Sequence, residues 1–437
     1  MSETLISSAW NVLRAIYPTL PLDGTLRQES EDAGAAQGRG YFLPDEDERL
    51  REVYGRYLKS RVILHEIVTS LTPRLKEPIP LAFCIAFGAA TALARSSGAL
   101  IAIAKDRPVV HQKLDEAEPR YDIPRKTFTA IYRSATSPGL AWRYHQAWKY
   151  YHQNREEIIT ALSSEEFSGL VELLDGDPPL FLKRKRSFWT SIMEYRLHSL
   201  NRRTHSSYHK VMFHLFRISG SAIAGKLQPF TIPKGSSPAV GPEIVRRMEG
   251  LLRPGDIIVT RHHHALSNLF LPGHWPHAAF YLGTPAQRKA LDLLSQGAEQ
   301  DSVLEAKKDG VKLRPLRETL SVDAFLVLRP VISTPDLARV ITRALTHEGK
   351  LYDFLFDFKK SERLACTEVV YRSFHGIGNW QFQLVKQSGR LTLPAEELIK
   401  QCLQARFAKV YCVFGARNCP LTFGKEAAEI LEESLQK

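Results

Sequence analysis

Two residues late in the chain could form a nucleophile and its base. Cys366 lies in Leu-Ala-Cys-Thr-Glu-Val-Val-Tyr, and His277 lies upstream in Gly-His-Trp-Pro-His-Ala-Ala-Phe-Tyr-Leu-Gly. A cysteine nucleophile needs a base that generates the thiolate, and histidine is the usual one. Because such a pair is defined by geometry and role rather than by chain order, a histidine that precedes its cysteine is chemically acceptable.

The predicted setting of Cys366 distinguishes it from the other four cysteines. Cys366, Val369, Val370 and Phe374 are spaced by three and four residues, which predicts a helix from near Cys366 to about Phe374. The helix dipole would lower the pKa of a thiol at the N-terminus, and the first-turn amides could serve an oxyanion hole. The alternative is a buried cysteine that packs as a small hydrophobe.

A third group must orient the imidazole, and Glu305 is the candidate. It lies in Val-Leu-Glu-Ala, on the next strand-like segment after His277. If the two strands pair in antiparallel fashion, its carboxylate could accept the imidazole N–H. An exposed strand glutamate is the alternative, and Asp256 and Asp301 are weaker candidates. Glu368 falls in the first turn of the predicted cysteine helix, where we expect a structural role because it complements the dipole.

A histidine cluster raises the possibility of a metal site. Residues 262–264 are all histidine, and His274 and His277 follow. Successive side chains on a strand alternate between faces, so three consecutive histidines cannot all reach one ion. No His-Glu-x-x-His motif lies nearby. We therefore predict no metal and no cofactor, and interpret the cluster as a polar loop beside the cleft in which His274 could contact substrate.

The composition is that of a globular, basic protein. Of the 437 residues 44% are hydrophobic and 24% charged, the net charge is +12, and length suggests two or three domains. The charge favours anionic partners without choosing among nucleic acid, acidic lipid and acidic substrates, and a basic protein with no polyanion partner is equally compatible. Five scattered cysteines fit a reducing compartment. The N-terminus lacks a basic segment followed by an apolar one, so we expect a cytoplasmic protein, with membrane association left open.

The first half of the chain has helical patterns. We predict a short helix followed by a polar loop or flexible arm at Asp23–Gly40, then an amphipathic helix over Asp45–Leu71. Leu81–Ala104 is the most apolar stretch, but its longest uncharged run is 14 residues and Arg95 lies in its middle. A spanning helix needs about 20 apolar residues, so a buried or membrane-apposed helix is favoured over a true span.

Residues 125–230 continue in helical patterns and include a basic, aromatic segment at 183–210. Such a segment could contact phosphate groups of nucleic acid or an anionic bilayer, but it is more often a solvated helix face. No zinc-finger or RRM-type motif is present, which disfavours nucleic acid. Residues 229–242 are rich in Pro, Gly and Ser and predict a linker. We therefore predict a mostly helical domain of unknown role at 1–235 and a second domain at 236–437.

The second domain has an α+β pattern with an antiparallel sheet. Its predicted strands are Asp256–Thr260, Ala278–Leu282, Val303–Ala306, Ala324–Leu328 and a closing strand, Lys409–Phe414. Its predicted helices are Thr334–Leu345 and the helix that begins near Cys366.

Five sequence blocks in order resemble one enzyme family. They cover 252–260, 266–283, 303–311, 349–358 and 366–370. Together they resemble the circularly permuted papain-like cysteine hydrolases of the YiiX/YebB type, which are related to NlpC-type peptidases. The resemblance covers roughly residues 250–415, and nothing before residue 235 contributes to it.

The resemblance implies Cys366 as nucleophile, His277 as base and Glu305 as the orienting residue, although the third residue varies between branches of the family. Tyr352 and Asp353 match a Tyr-Asp pair that precedes the family's cysteine, and Tyr352 could donate to an oxyanion.

The implied activity is that of a cysteine hydrolase, an amidase, peptidase or lipid esterase that works by acyl transfer on an amide, ester or thioester. Its substrate would be a small molecule, a peptide or an acyl lipid. An acyltransferase with the same site remains an alternative. So does a non-catalytic protein with a degenerate papain-like fold that associates with a membrane or nucleic acid. The sequence says nothing about the oligomeric state.

Overall fold

The computed structural model forms two compact units, Met1–Ser206 and Ser207–Lys437. The predicted boundary at 235, the basic segment at 183–210 and most of the predicted linker lie outside the described residues, so these assignments stay predictions. The structure describes residues 2–22, 24–72, 80–162, 167–175, 239–262, 274–293, 300–353, 356–387 and 390–435.

The described part of the first unit is helical. The amphipathic helix expected over Asp45–Leu71 is confirmed as α3 (Pro44–Leu71), which begins one residue earlier. The helices are α1 (Ser2–Ile16), α2 (Arg27–Arg39), α3 (Pro44–Leu71), α4 (Pro80–Ala104), α5 (Pro108–Leu114), α6 (Thr127–Ala135), α7 (Pro138–Gln153), α8 (Arg155–Ala161) and α9 (Ser168–Asp175).

The predicted loop at Asp23–Gly40 is wrong, because most of it forms α2. Its inner face consists of small residues, including the fully buried Ala33 and Ala36. Asp32 on the same helix accepts a 2.9 Å hydrogen bond from Arg49 of α3. Alanine and paired charges can cover a core without raising the local hydrophobicity, and this concealed the helix from the sequence pattern.

The apolar helix α4 lies at the centre of the first unit, in contact with α1, α3 and α9. Close packing is visible at Gly88, where an added Cβ would lie 2.9 Å from Leu170. Arg95 donates to the hydroxyl of Tyr17 over 3.2 Å, so its charge has a polar partner. Leu81–Ala104 is long and apolar enough to cross a membrane, yet 67% of its most apolar window is buried within the protein. The same pattern is found in core helices, and the burial agrees with the expected buried helix.

The second unit has an α+β architecture around an antiparallel sheet, as predicted. In chain order its main elements are α10 (Pro242–Leu251), β1 (Ile257–Arg261), β2 (His277–Tyr281), α11 (Pro285–Lys289), β3 (Asp301–Lys307), β4 (Gly310–Pro315), α12 (Leu316–Thr319), β5 (Ala324–Pro330), α13 (Thr334–Leu345), β6 (Leu351–Tyr352), β7 (Arg363–Leu364), α14 (Cys366–Phe374), β8 (Val385–Gln387), β9 (Arg390–Thr392), α15 (Ala395–Gln404), β10 (Ala408–Phe414), β11 (Thr422–Phe423) and α16 (Gly424–Leu435).

The described residues form a seven-stranded sheet with the order β11-β10-β5-β1-β2-β3-β4. The five predicted strands are confirmed within two residues at each end, and the limits of α13 and α14 agree with their predictions. The strand β4, the short pairs β6–β7 and β8–β9, and the two-residue strand β11 were not predicted. A two- or three-residue strand is too short to show the alternation of apolar and polar residues on which strand prediction depends.

Both faces of the sheet are buried, and alternate residues of each strand serve opposite faces. Ala278 and Phe280 of β2 pack in the core that contains α14, whereas Ala279 and Tyr281 pack in the core that contains α12. The rings of Phe280 and Phe374 lie 5.0 Å apart, which fixes α14 against β2. The first residue of α14 is thereby held beside the first residue of β2.

Candidate active site

His277 and Glu305 are hydrogen-bonded across two neighbouring strands. The strands β2 and β3 are antiparallel, with Phe280 opposite Leu304. Nε2 of His277 lies 2.8 Å from Oε1 of Glu305. The predicted juxtaposition of the two side chains therefore occurs, and it leaves Nδ1 as the imidazole nitrogen available to another partner.

The second oxygen of Glu305 is also held. Oε2 lies 2.9 Å from Nζ of Lys307 and accepts a 3.1 Å hydrogen bond from the hydroxyl of Thr319, while Nε of Arg314 lies 3.7 Å away. Burial raises the pKa of Glu305, but its bonds and charge interactions with His277 and Lys307 outweigh burial and lower that pKa to about 2. Glu305 is thus a carboxylate with both oxygens engaged at neutral pH.

Cys366 is the first residue of α14 and is only 2% exposed. Burial raises the pKa of its thiol, but the charge of His277 and hydrogen bonds from His277 and from the backbone amides of Ala278 and Thr367 lower it below the ordinary value. For His277 burial acts in the other direction and lowers the pKa, but Cys366 and Glu305 outweigh it and raise that pKa to about 9. The side chains favour the thiolate and the imidazolium together.

The other four cysteines have the opposite electrostatics. Burial raises the pKa of Cys84 and of Cys412 to about 12, and it raises the pKa of Cys402 still further. Cys419, which is half-buried, also has a raised pKa because of burial. All five cysteines are free thiols, and Cys366 is the one with a lowered pKa.

Tyr352 is brought close to Cys366 by a two-residue parallel pairing. Tyr352 of β6 lies opposite Leu364 of β7, two residues before the cysteine. The phenol is 8% exposed. Burial, the charge of Cys366 and the charge of Asp353 all raise its pKa. Its hydroxyl therefore stays protonated beside the thiolate and can act as a hydrogen-bond donor.

With this geometry established, the comparisons with known proteins identify the region. Residues 251–397 match the permuted papain-like amidase family, YaeF/YiiX, C92. The resemblance seen in the five sequence blocks is confirmed for this region, which we call the papain-like region. The relations to YebB and to NlpC-type peptidases stay predictions. Neither a curated protein nor a solved structure matches the chain.

Within the papain-like region, Glu368 supports the helix that carries Cys366. Its side chain is fully buried, accepts a 2.8 Å hydrogen bond from Nε of Arg372, and lies 3.4 Å from the amide of Ala365. Burial raises the pKa of Glu368 to about 8, with Arg372 acting against the rise and Asp353 adding to it. These contacts agree with the structural role expected for Glu368.

The weaker carboxylate candidate Asp256 is engaged elsewhere. Both of its oxygens accept from Arg329, at 2.9 and 2.7 Å. Asp301, the other weaker candidate, lies at the start of β3, where its backbone carbonyl accepts a hydrogen bond from Arg288 over 3.2 Å. Glu305 is the carboxylate that the structure joins to His277.

The structure holds His274 mainly through its backbone. Its amide donates to Glu396, its carbonyl accepts from Arg261 over 2.5 Å, and its ring packs edge-on against Trp275. A contact of His274 with substrate therefore stays a prediction. Within the described residues, no group of three or more histidine, cysteine or carboxylate side chains could hold a metal, and residues 263 and 264 lie outside them.

A cleft of about 340 Å³, including its open mouth, borders His277 on the Glu305 side. Of the predicted histidine loop, His262 contributes to its wall. Sequence reasoning missed Lys307 and Thr319, which line the same cleft and hold Glu305. The lining residues are Thr260, His262, Pro276, His277, Glu305, Lys307, Glu318, Thr319 and Val322.

Proposed function

We propose that the protein is a cysteine amidase in which Cys366 is the nucleophile, His277 the general acid and base, and Glu305 the residue that orients the imidazole. One observation carries the proposal: His277 connects a thiol of lowered pKa to a buried carboxylate. Its support from comparison is the match of residues 251–397 to a family of amidases.

The proposed reaction begins from the thiolate and the imidazolium. The sulfur of Cys366 bonds to the substrate carbonyl carbon, and the carbonyl electrons move onto oxygen. As the C–N bond breaks, His277 gives its proton to the departing amine. Water then bonds to the acyl carbon while His277 takes its proton, the C–S bond breaks, and the acid leaves. The charged Glu305 keeps the ring oriented and stabilises its cationic form throughout.

Two donors are available for the oxyanion in this proposal. Cys366 is the first residue of α14, where a backbone N–H has no partner within the helix. The protonated hydroxyl of Tyr352 is the second donor. A donor aimed at the developing charge typically contributes about 100-fold or more to kcat.

The substrate class is proposed more broadly: a small molecule, a peptide or an acyl lipid with an amide, ester or thioester bond. An acceptor other than water would make the same site an acyltransferase. A hydrolase and an acyltransferase would form the same acyl-enzyme on Cys366 and differ only in the acceptor. An added amine would therefore change the product of an acyltransferase and leave the acylated Cys366 the same.

The test is the pH dependence of iodoacetamide alkylation, mapped by mass spectrometry, in the wild type and in His277→Ala. Free cysteine titrates near pH 8.5. We expect labelling of Cys366 to persist to about pH 6 in the wild type. In His277→Ala, Cys366 should lose this reactivity at low pH. Cys419 in the same unit is the internal control: because burial raises its pKa, it should be labelled only at alkaline pH in both proteins. An ordinary profile at Cys366 in both would refute the catalytic role and leave the degenerate, non-catalytic alternative.

A further inference from the structure

A long segment of the first unit contains no acidic residue. Between Ile123 and Arg155 the chain has six basic residues and no Asp or Glu. The segment spans α6, α7 and the start of α8, which are all described in the structure. The basic residues are Arg125, Lys126, Arg133, Arg143, Lys149 and Arg155, and each of them is exposed.

One face of α7 combines this charge with exposed aromatic rings. Trp142, Arg143, Gln146, Lys149 and Tyr150 are all exposed and recur at the three- and four-residue spacing of a single helix face. We call these five residues the α7 face. Trp142 is 63% exposed and Tyr150 is 52% exposed, which is unusual for rings of this size.

The opposite side of α7 anchors the helix in the core. Tyr151 is fully buried, and the hydroxyl of Tyr144 lies 2.9 Å from that of Thr91 in α4. The ring of Tyr144 also packs against Phe87, with centroids 5.3 Å apart. Burial of the two aromatic residues of the α7 face is therefore not needed to hold the helix. Both rings stay largely exposed, although the ring of Tyr150 also contacts Phe83, with centroids 4.8 Å apart.

Among the described residues, no carboxylate neutralises the positive charges of the α7 face. Across the described ranges of the chain, neither Arg143 nor Lys149 forms an ion pair. Arg155 differs, because it pairs with Asp175 over 2.5 Å. Leu140, in the first turn of α7, adds an apolar side chain that is 48% exposed.

We propose that the α7 face binds the surface of an anionic lipid bilayer. Trp and Tyr are the side chains that concentrate at the interface between headgroups and hydrocarbon, and Arg and Lys are attracted to acidic headgroups. A helix with both lies in the plane of the interface with its apolar side chains inserted. The exposed leucine favours lipid over nucleic acid, because an aliphatic side chain gains more from hydrocarbon than from a stacked base.

The test is co-sedimentation of the full-length protein with vesicles of phosphatidylcholine alone or mixed with phosphatidylserine. We expect binding to the mixed vesicles only, and weaker binding as salt is added. Each cation near an acidic bilayer strengthens binding about fivefold. Arg143→Gln combined with Lys149→Gln should therefore weaken binding roughly 30-fold, and Trp142→Ser should weaken it without changing its salt dependence.

The matched control is Arg27→Gln combined with Lys105→Gln, which removes two exposed positive charges elsewhere in the same unit, at the start of α2 and in the turn after α4. It should bind like the wild type, and thermal unfolding should be alike for all variants because the positions are exposed. If the control loses binding to the same extent, binding depends on the overall positive charge and not on the α7 face, and the proposal is overturned. Failure of the wild type to bind mixed vesicles would also overturn it, as would binding to single-stranded RNA in its place.

Discussion

Replacement of Glu305 by glutamine should shift the titration of the thiolate–imidazolium pair rather than simply remove activity. Glutamine keeps the size of the side chain and can still accept from Nε2 of His277, now 2.8 Å from Oε1, but it removes the negative charge. The pKa of His277 is about 9 against an ordinary 6.5. That difference corresponds to ~3 kcal/mol in favour of the charged ring, at about 1.4 kcal/mol for each pH unit.

Glu305 shares this effect with the thiolate of Cys366, and burial opposes both. If the Glu305 carboxylate supplies even a third of the rise in the pKa of His277, that pKa falls by about one pH unit in Glu305→Gln. The thiolate then loses part of its stabilising partner, so the pKa of Cys366 rises. We expect alkylation of Cys366 near pH 6 to slow by about tenfold, whereas the rates converge at high pH, where the thiolate forms without help.

The assay is the second-order rate of iodoacetamide labelling at Cys366, followed from acidic to alkaline pH. Glu318→Gln is the matched control, because Glu318 lines the same cleft but pairs with Arg314 at 2.8 Å. Its profile should follow the wild type. A profile of Glu305→Gln that superimposes on the wild type would refute the electrostatic reasoning. A rate reduced equally at every pH would show that orientation, and not charge, is what Glu305 provides.

Three further changes test other parts of the structure. Tyr352→Phe removes the proposed oxyanion donor and should lower kcat by about 100-fold with little change in KM, measured on any amide or ester that the enzyme turns over; an unchanged kcat would exclude Tyr352 as a donor. Glu368→Gln tests linkage: a carboxyl with its pKa raised to about 8 from 4.5 stabilises the fold fully below pH 4.5 and loses that contribution as pH rises through 8. In urea unfolding, the free energy of unfolding of the wild type relative to that of Glu368→Gln should therefore fall from pH 5 to pH 8. A difference that stays constant over this range would contradict the raised pKa of Glu368. Phe374→Ala should cost ~3–5 kcal/mol of stability, because this fully buried ring packs between Phe280 and Trp380; a loss under 1 kcal/mol in urea unfolding would show that the core does not depend on it.

The parts of the second unit that were predictable have long, regular patterns. The limits of α13 agree with the predicted helix, and in the structure Ser333 caps its first turn by accepting from the amide of Asp336. The pairing of His277 with Glu305 was predictable because consecutive strands are usually neighbours in a sheet. Here β2 and β3 are consecutive in the chain and adjacent in the sheet.

The parts that were not predictable depend on contacts between segments that have no pattern of their own. Thr319 reaches Glu305 because the chain passes through β4 and then forms the single turn α12. Tyr352 approaches Cys366 through β6 and β7, each of two residues. In the first unit, α2 was missed because its buried face is made of alanine and paired charge. Periodicity carries little information in each case, and tertiary contacts decide the structure.

Burial alone does not distinguish Cys366 from the other cysteines; the charge and the hydrogen bonds around its sulfur do. Cys402 is 0% exposed and Cys366 is 2% exposed, yet burial raises the pKa of Cys402, whereas the pKa of Cys366 is lowered. The difference comes from the imidazolium of His277 and two backbone amides, which outweigh the same desolvation. Because α14 packs directly on β2, the histidine reaches the cysteine although it precedes it in the sequence. The chain order can therefore be permuted without loss of the thiolate, provided that the helix start and the strand start remain side by side.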